Sequence, residues 1–403
     1  MRAGALEKRI KRHVIGRSRE FYVSVSPGIE PICVEELARL GIGADGLNMP
    51  EKGGVSFSGH VHDCYSANLH LRTANRILMR VANFHAENFR GLEKKVRDMA
   101  WELYLCPGMP MEISVKSRHS RLFHTDAVAG SVREGIEAGL SSQNDKPCGP
   151  ALNQAAIQRI FVRAIDDTFT ISLDSSGELL HKRGLKIHGG RAPIRETLSA
   201  AILFMAGFRP GDLLIDPMCG SGTFSLEAAM ISSQIPAGWF RDFAFMHWPC
   251  FRRPRWDYMR KIAGGKMSAL NEPVVFASDI DGTAVKGLNQ ALESGGLLKS
   301  VCLRQKDFFD LTPPVTPDKS GGPAKGLVVI NPPYGRRMST KKQGIELFSS
   351  IGEKLSADFK NWRVALLAPD RRWAGQLPFP VRSFPLFHGG LHLSLFLGRI
   401  PEK

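Results

Sequence analysis

The sequence predicts an α/β protein: a mostly parallel, doubly wound sheet in the second half, preceded by a smaller α+β half. Three observations carry this. From about residue 194 onward, helical patterns alternate with short apolar strands, the order of repeated β-α units. Residues 21–180 instead alternate strand, amphipathic helix and strand, and end in a strand pair. Finally, successive strands of the second half end on an acid or on Asn-Pro-Pro-Tyr, and a doubly wound sheet binds its ligands at the carboxyl ends of its strands.

The 403 residues suffice for two or three domains, and 43% hydrophobic with 23% charged content fits a globular chain rather than a disordered or fibrous one. No apolar run approaches the roughly 18 residues of a membrane span, and the N-terminus lacks the apolar core of a signal peptide. The cytoplasm is the expected compartment. The 7 cysteines are scattered, with no CxxC and no close histidine pairing, which argues against a disulfide framework and against a metal site. A net charge of +15 points to a polyanionic partner, because phosphates neutralised by Lys and Arg release counterions and supply most non-specific nucleic-acid affinity.

Residues 1–20 hold many Lys and Arg with little apolar periodicity and read as a flexible basic arm. "FYVSVSP" alternates as a strand, "GIEPICVEELARLG" is an amphipathic helix closed by Gly41, and "GGVSFSG" is a second strand. A second block follows: strand "RILMRVANF", helix "GLEKKVRDMAWELY", strand "MEISVKSR", and a helix after Thr125 or Asp126. Residues 141–150 form a loop before the strand pair "RIFVRAIDD" and "TFTISLDSS".

The second half then runs helix "IRETLSAAILFMAGF", strand "DLLIDP", helix "TFSLEAAMISS", strand "VVFASD", helix "TAVKGLNQALESGG", strand "SVCLRQKD", strand "GLVVINPP", helix "QGIELFSSIGEKL" and strand "WRVALLAP". Two stretches interrupt it. Residues 235–256 mix aromatic and basic side chains, suited either to stacking on nucleobases or to a folded excursion over a sheet edge. Residues 311–326, rich in Pro, Gly and Lys, read as a mobile loop.

"LLIDPMCGSGTF", Leu213 to Phe224, is a buried strand ending in an acid, then a glycine turn, then a helix start. Gly220 and Gly222 permit positive φ and close backbone approach, and the helix start offers unpaired N–H groups. A dinucleotide site would want a third glycine where Ser225 stands, and has no use for Asp216 beside its phosphates. An acid there suits a ligand bearing an ammonium and a sulfonium, as S-adenosylmethionine does. Asp279 closes "VVFASD", where a carboxylate can accept both ribose hydroxyls, and Asp307 closes "LRQKD", where it can accept from an adenine amine with Phe308 flanking the ring. Each acid alone reads as a cap or a solvated loop residue; in register at successive strand ends they read as one site.

"VVINPPYGRR" stops a strand with two prolines. The exocyclic amine of a nucleobase is a poor nucleophile, because its lone pair is delocalised into the ring. The side-chain oxygen of Asn331 and the carbonyl of Pro332 can accept its two N–H bonds and hold the lone pair toward a methyl group, a matter of positioning and electrostatics. Pro332 and Pro333 fix φ and end the ladder. Tyr334 offers a face for a flipped planar base, and Arg336 and Arg337 suit backbone phosphates.

DPMCGSGTF with NPPYG resembles the class I S-adenosylmethionine-dependent amino-methyltransferases. The run "LHKRGLKIHGGRAPIRETLSAAIL" narrows the resemblance to THUMP-domain RNA methyltransferases, in the group that includes the bacterial large-subunit rRNA guanine-N2 methyltransferase. "YVSVSPGIEPICVEELARLG" and "HSRLFHTDAVAGSVREGI" look like that group's ferredoxin-like and THUMP domains. The resemblance implies a ferredoxin-like domain over residues 21–72, a THUMP RNA-binding domain over 73–180 and a Rossmann-like class I methyltransferase domain over 181–403. It implies cofactor contacts at Thr197, Asp216, Met218, Cys219, Gly220, Gly222, Thr223, Asp279, Ile280, Asp307 and Phe308, and catalysis at Asn331, Pro332, Pro333 and Tyr334.

The implied reaction is methylation of a guanosine N2 amine in RNA, 23S rRNA first, with one methyltransferase activity expected in a chain ending at Lys403. Guanine-N2 methylation of tRNA, amino-methylation of DNA adenine or protein glutamine, and an RNA-binding assembly factor without catalysis are the alternatives. Intact Asp216, Gly220, Gly222 and Asn331 argue against the last.

Overall fold

The computed structural model describes residues 3–43, 52–141, 157–185, 194–314, 326–333 and 341–402. Two compact units divide the chain, and each draws on separated stretches. One comprises residues 1–25, 33–180 and 241–261, the other 26–32, 181–240 and 262–403. The second unit takes residues 26–32 from before residue 181, and the first takes residues 241–261 from after it.

The first unit is built on a six-stranded sheet of β1 (Arg19–Ser24), β2 (Gly54–Gly59), β3 (Arg76–His85), β4 (Met111–Arg118), β5 (Gln158–Ile165) and β6 (Thr168–Asp174), in the order β2-β1-β3-β6-β5-β4. β4 and β5 run parallel and the other neighbours antiparallel. A helix over Thr125–Ser141 packs on β4 and on the helix Phe89–Arg97.

In this unit one sequence expectation changes and one open reading is decided. The basic arm is not an unstructured tail: Ala3–Ile10 is α-helical and Lys11–Ile15 continues as a π-helical turn. Ile10 and Val14, four residues apart and so on one helical face, are buried, and Arg9 pairs with Glu102 at 2.7 Å.

The aromatic stretch before Trp256, which the sequence leaves open between a base platform and a folded excursion, is the excursion. Phe243, Phe245, Trp248 and Trp256 are buried. Phe245 stacks on Tyr65 at 4.2 Å and meets Trp256 edge-on at 5.3 Å. Its amide donates to the Ser175 carbonyl (3.0 Å), and Trp248 Nε1 donates to Gln158 Oε1 (2.8 Å). Burying apolar ring area outweighs exposing it for a ligand, so the stretch is a folded excursion that completes this unit's core.

The second unit is a seven-stranded sheet of β7 (Leu213–Asp216), β8 (Val275–Asp279), β9 (Val301–Gln305), β10 (Gly326–Ile330), β11 (Arg363–Ala368), β12 (Val381–His388) and β13 (Leu391–Arg399), in the order β12-β13-β11-β10-β7-β8-β9. β9, β8, β7, β10 and β11 are parallel, and β13 and β12 close that edge antiparallel.

Both faces of this sheet are covered, which is why its strands are continuous apolar runs. Leu214, Leu327, Val329, Ala365 and Leu367 join the helices Glu196–Met205, Thr223–Ser232 and Gly282–Ser294 in one core. Their chain neighbours Ile215, Val328, Ile330, Val364 and Leu366 join the helix Lys341–Asp358 in the other. Strand order reverses between β7 and β10, which puts a crevice at their carboxyl ends.

Candidate active site at the carboxyl edge of the sheet

The glycine turn is stitched to the neighbouring strand. Gly220 N donates to Asp279 Oδ2 at 2.8 Å, and Cys219 N donates to the Ser278 carbonyl at 3.0 Å. Gly220 and Gly222 both lie at positive φ, 53° and 77°, where a side chain is strained. Their surroundings differ. A Cβ on Gly222 would fall 2.2 Å from Leu288 Cδ1, whereas one on Gly220 would meet nothing within 4 Å. Gly222 is therefore needed for packing the turn against the helix Gly282–Ser294, and Gly220 leaves an open cradle. Thr223 is buried at the start of the following helix, and Met218 is half-buried.

Asp216, at the end of β7, is 1% exposed, and its Oδ2 accepts a 2.7 Å hydrogen bond from Ser225 Oγ. Ser225 was legible only as a missing third glycine; its hydroxyl is what holds the acid. Burial pushes the Asp216 carboxyl up to about 7, the Ser225 bond opposes this, and the charge of Asp279 adds to it. The same burial, together with Asp216 and Asp279, raises the Cys219 thiol and keeps it protonated and unreactive.

Asp279 accepts the Gly220 amide on one oxygen and the Asp281 amide on the other, at 2.8 and 2.9 Å, so its carboxylate is fixed in orientation with lone pairs remaining. Ile280, next along, is 68% exposed. Thr197 is buried in the first turn of its helix. Beside it Glu196 is pushed up to about 7, first by burial and further by Glu227, against Arg183 and Arg195. Arg183 and Glu227 form a buried ion pair at 2.7 Å.

Two expected contacts are placed differently. Asp307 does not end β9, which stops at Gln305; it caps the short 3-10 turn Phe308–Asp310, accepting from Phe309 N at 3.0 Å. Phe308 is 1% exposed and packs on Phe359 (6.3 Å), so it belongs to the core, while Phe309 beside it is 38% exposed.

Asn331 follows β10, and its Oδ1 is buried with no hydrogen-bond partner among the described residues. An orphaned buried acceptor costs about 1–3 kcal/mol, and an acceptor kept bare at a strand end suits a ligand N–H. Pro332 is buried and Pro333 half-buried, whereas Tyr334, Arg336 and Arg337 lie outside the described residues. The cavity lined by Ile215, Ala277, Ser278, Arg304 and Pro313 borders the same strands, but none of the strand-end acids lines it.

The open cradle at Gly220, the oriented Asp279 and the bare Asn331 oxygen fit an adenosyl cofactor with a nucleophile beside it. Residues 183–377 match a family described as an RMKL-like methyltransferase domain, and residues 20–78 match an RlmL ferredoxin-like domain. The chain is 30% identical to a Synechocystis protein named "Putative RNA methyltransferase", over 94% of this chain and 96% of that one.

The chain belongs to the RMKL-like methyltransferase family.

Its cofactor is S-adenosylmethionine. A second relative, "Ribosomal RNA large subunit methyltransferase K/L" of Methylococcus capsulatus, is 32% identical over 96% of this chain, which spans only 52% of that protein. Among solved structures, a chain titled a "putative methyltransferase complexed with SAH" superposes with a TM-score of 0.82 at 28% identity, covering 94% of this chain and 98% of that one. TrmN of Thermus thermophilus, at 19% identity and a TM-score of 0.67, shares the fold.

Among the described residues no helix is long and apolar enough to cross a membrane. One group of metal-ligand types does come together there, His60, His62 and Asp63, with ligand atoms within 4.8 Å of one another. Asp63 Oδ2 is already engaged, accepting from the His60 amide at 2.7 Å.

Proposed function

We propose that this RMKL-like enzyme methylates the exocyclic N2 amine of a guanosine in RNA, with 23S rRNA as the substrate. The observation that carries the reading is the buried Asn331 Oδ1 with no partner among the described residues, at the end of β10 and beside the glycine turn of the adjacent β7. A guanine amine presents two N–H bonds, and Asn331 Oδ1 and the Pro332 carbonyl are the two acceptors that match them.

Bound S-adenosylmethionine supplies an electrophilic methyl group on a sulfonium. Asn331 and Pro332 would hold the amine out of the ring plane with its lone pair localised and aimed at the methyl group that the bound cofactor would offer. The amine proton then leaves to water. Asp279 would orient the adenosyl end, with the open space at Gly220 beside it, and Asp216 would offer a carboxylate to the ammonium.

The net charge of +15 supports a nucleic-acid substrate, and the rRNA and RNA methyltransferase names of the relatives support RNA. The test is incubation with labelled S-adenosylmethionine and separated rRNA and tRNA from a strain lacking the protein, followed by nucleoside mass spectrometry. N2-methylguanosine in 23S rRNA is expected. Label confined to tRNA, or recovered as another nucleoside, refutes the assignment.

A further inference from the structure

The hairpin of β12 and β13 outruns the rest of its sheet. β11 pairs with β13 from Arg363↔Arg399 only as far as Ala368↔Ser394, whereas β12 and β13 stay paired to His388↔Leu391. Ile330 of β10 lies opposite Leu366, so Ala368 is level with Pro332, and Leu393, His392 and Leu391 continue past it toward solvent at roughly 3.3 Å per residue. The hairpin tip thus overhangs the carboxyl edge that carries Asn331.

The tip is stiff and apolar where a solvent-facing loop has no reason to be. Gly389 and Gly390 sit at φ 57° and 84°, the two-residue turn whose twist matches that of its strands. Leu386↔Leu393 is a buried pair, but the next pair outward, Phe387↔His392, is exposed, with Phe387 at 44% and the rings edge-on at 5.3 Å. Side chains alternate along a strand, so Phe387 and His392 share a face with Ser394 and Phe396. On that side the 3-10 turn Arg371–Gln376 leaves β11 and packs against both hairpin strands, carrying exposed Arg371 while Arg372 is tied to Asp370.

Exposed aromatic rings and an exposed arginine at the same edge of one sheet suit a nucleotide, the rings for its base and the cation for its phosphate. β13 lies two strand spacings from β10, about 10 Å, which is beyond a base held at Asn331 and suits its neighbour in the chain. We propose that Phe387 and His392 seat the base of the nucleotide adjacent to the methylated one, with Arg371 at its phosphate. The assignment rests on the RNA reading above.

The experiment compares the full-length parent with Phe387→Ala and Phe387→Tyr on the RNA that the parent methylates, across RNA concentrations. The alanine variant is expected to raise KM for RNA about tenfold, as loss of a base–aromatic stack does, with kcat and cofactor affinity at parental values and with tyrosine restoring KM. A parental KM in Phe387→Ala beside an active parent overturns the seat alone. So does a raised KM that tyrosine fails to restore, accompanied by a lowered Tm. A parent that methylates no RNA overturns the reading beneath it as well.

Discussion

Ser225 Oγ donates a 2.7 Å hydrogen bond to Asp216, a carboxyl that is 1% exposed and that burial pushes from 3.8 up to about 7. Between those two values the native chain holds a proton that the unfolded chain has released. The contribution of this carboxyl to stability without cofactor therefore falls as pH rises from 3.8 to about 7 and is flat beyond. Asp216→Asn removes this dependence, so its Tm should exceed the parent's by more at about pH 8 than at about pH 5. Its affinity for S-adenosylmethionine should drop, because the amide offers the ammonium no charge. Thermal melts at the two pH values and equilibrium binding check both parts.

Asn331→Ala should cost the fold nothing, since Oδ1 is buried without a partner among the described residues and its loss relieves an unsatisfied acceptor. Methyl transfer should fall by about a hundredfold or more, in keeping with removal of a preorganised acceptor. Cofactor affinity should stay within about twofold of the parent's, as Asn331 is assigned to the amine and not to the cofactor. Turnover close to the parent's would remove this side chain from the mechanism.

The two glycines of the turn should separate when each is changed to alanine. Gly222→Ala combines a positive φ with a Cβ 2.2 Å from Leu288, a buried core residue, and should lower stability by about 2–4 kcal/mol. Gly220→Ala carries the backbone strain alone, about 1–2 kcal/mol, but puts a methyl into the cradle and should weaken cofactor binding more than folding. Denaturant melts and cofactor titrations of the pair read this difference.

Phe245→Ala should destabilise the first unit by about 3–5 kcal/mol, because the ring is fully buried against Tyr65, Phe251 and Trp256. Were this stretch a surface for bases, the same change would leave the melting curve untouched.

Strand ends were legible because an acid terminating an apolar run has few structural reasons to be there; Asp279 is tied to Gly220 of the glycine turn and Asp216 to Ser225 of the helix that follows it. The errors share a different cause: composition reports what a stretch contains and not which way it faces. Aromatics between residues 243 and 256 read equally well as a surface or a core. Phe308 and Phe309 are neighbours in a one-turn 3-10 segment, too short for periodicity to say which ring is inside. Among the described residues of the basic first twenty, Ile10 and Val14 are a lone buried apolar pair among many charges, a helical face too narrow to stand out. Ser225 was hidden because a hydroxyl partner for a buried acid depends on the turn's path and leaves no mark on spacing.

The first unit draws its aromatic lining from residues 241–261, while most of it is encoded before residue 181. On the ribosome, Tyr65 and Phe57 emerge long before Phe245 and Trp256, and the glycine turn and the start of the second sheet are synthesised in between. The N-terminal body therefore closes only once part of its successor has been made. A gene cut at the apparent boundary would yield a piece with a gap in its core, and order of synthesis is a poor guide to order of folding in this chain.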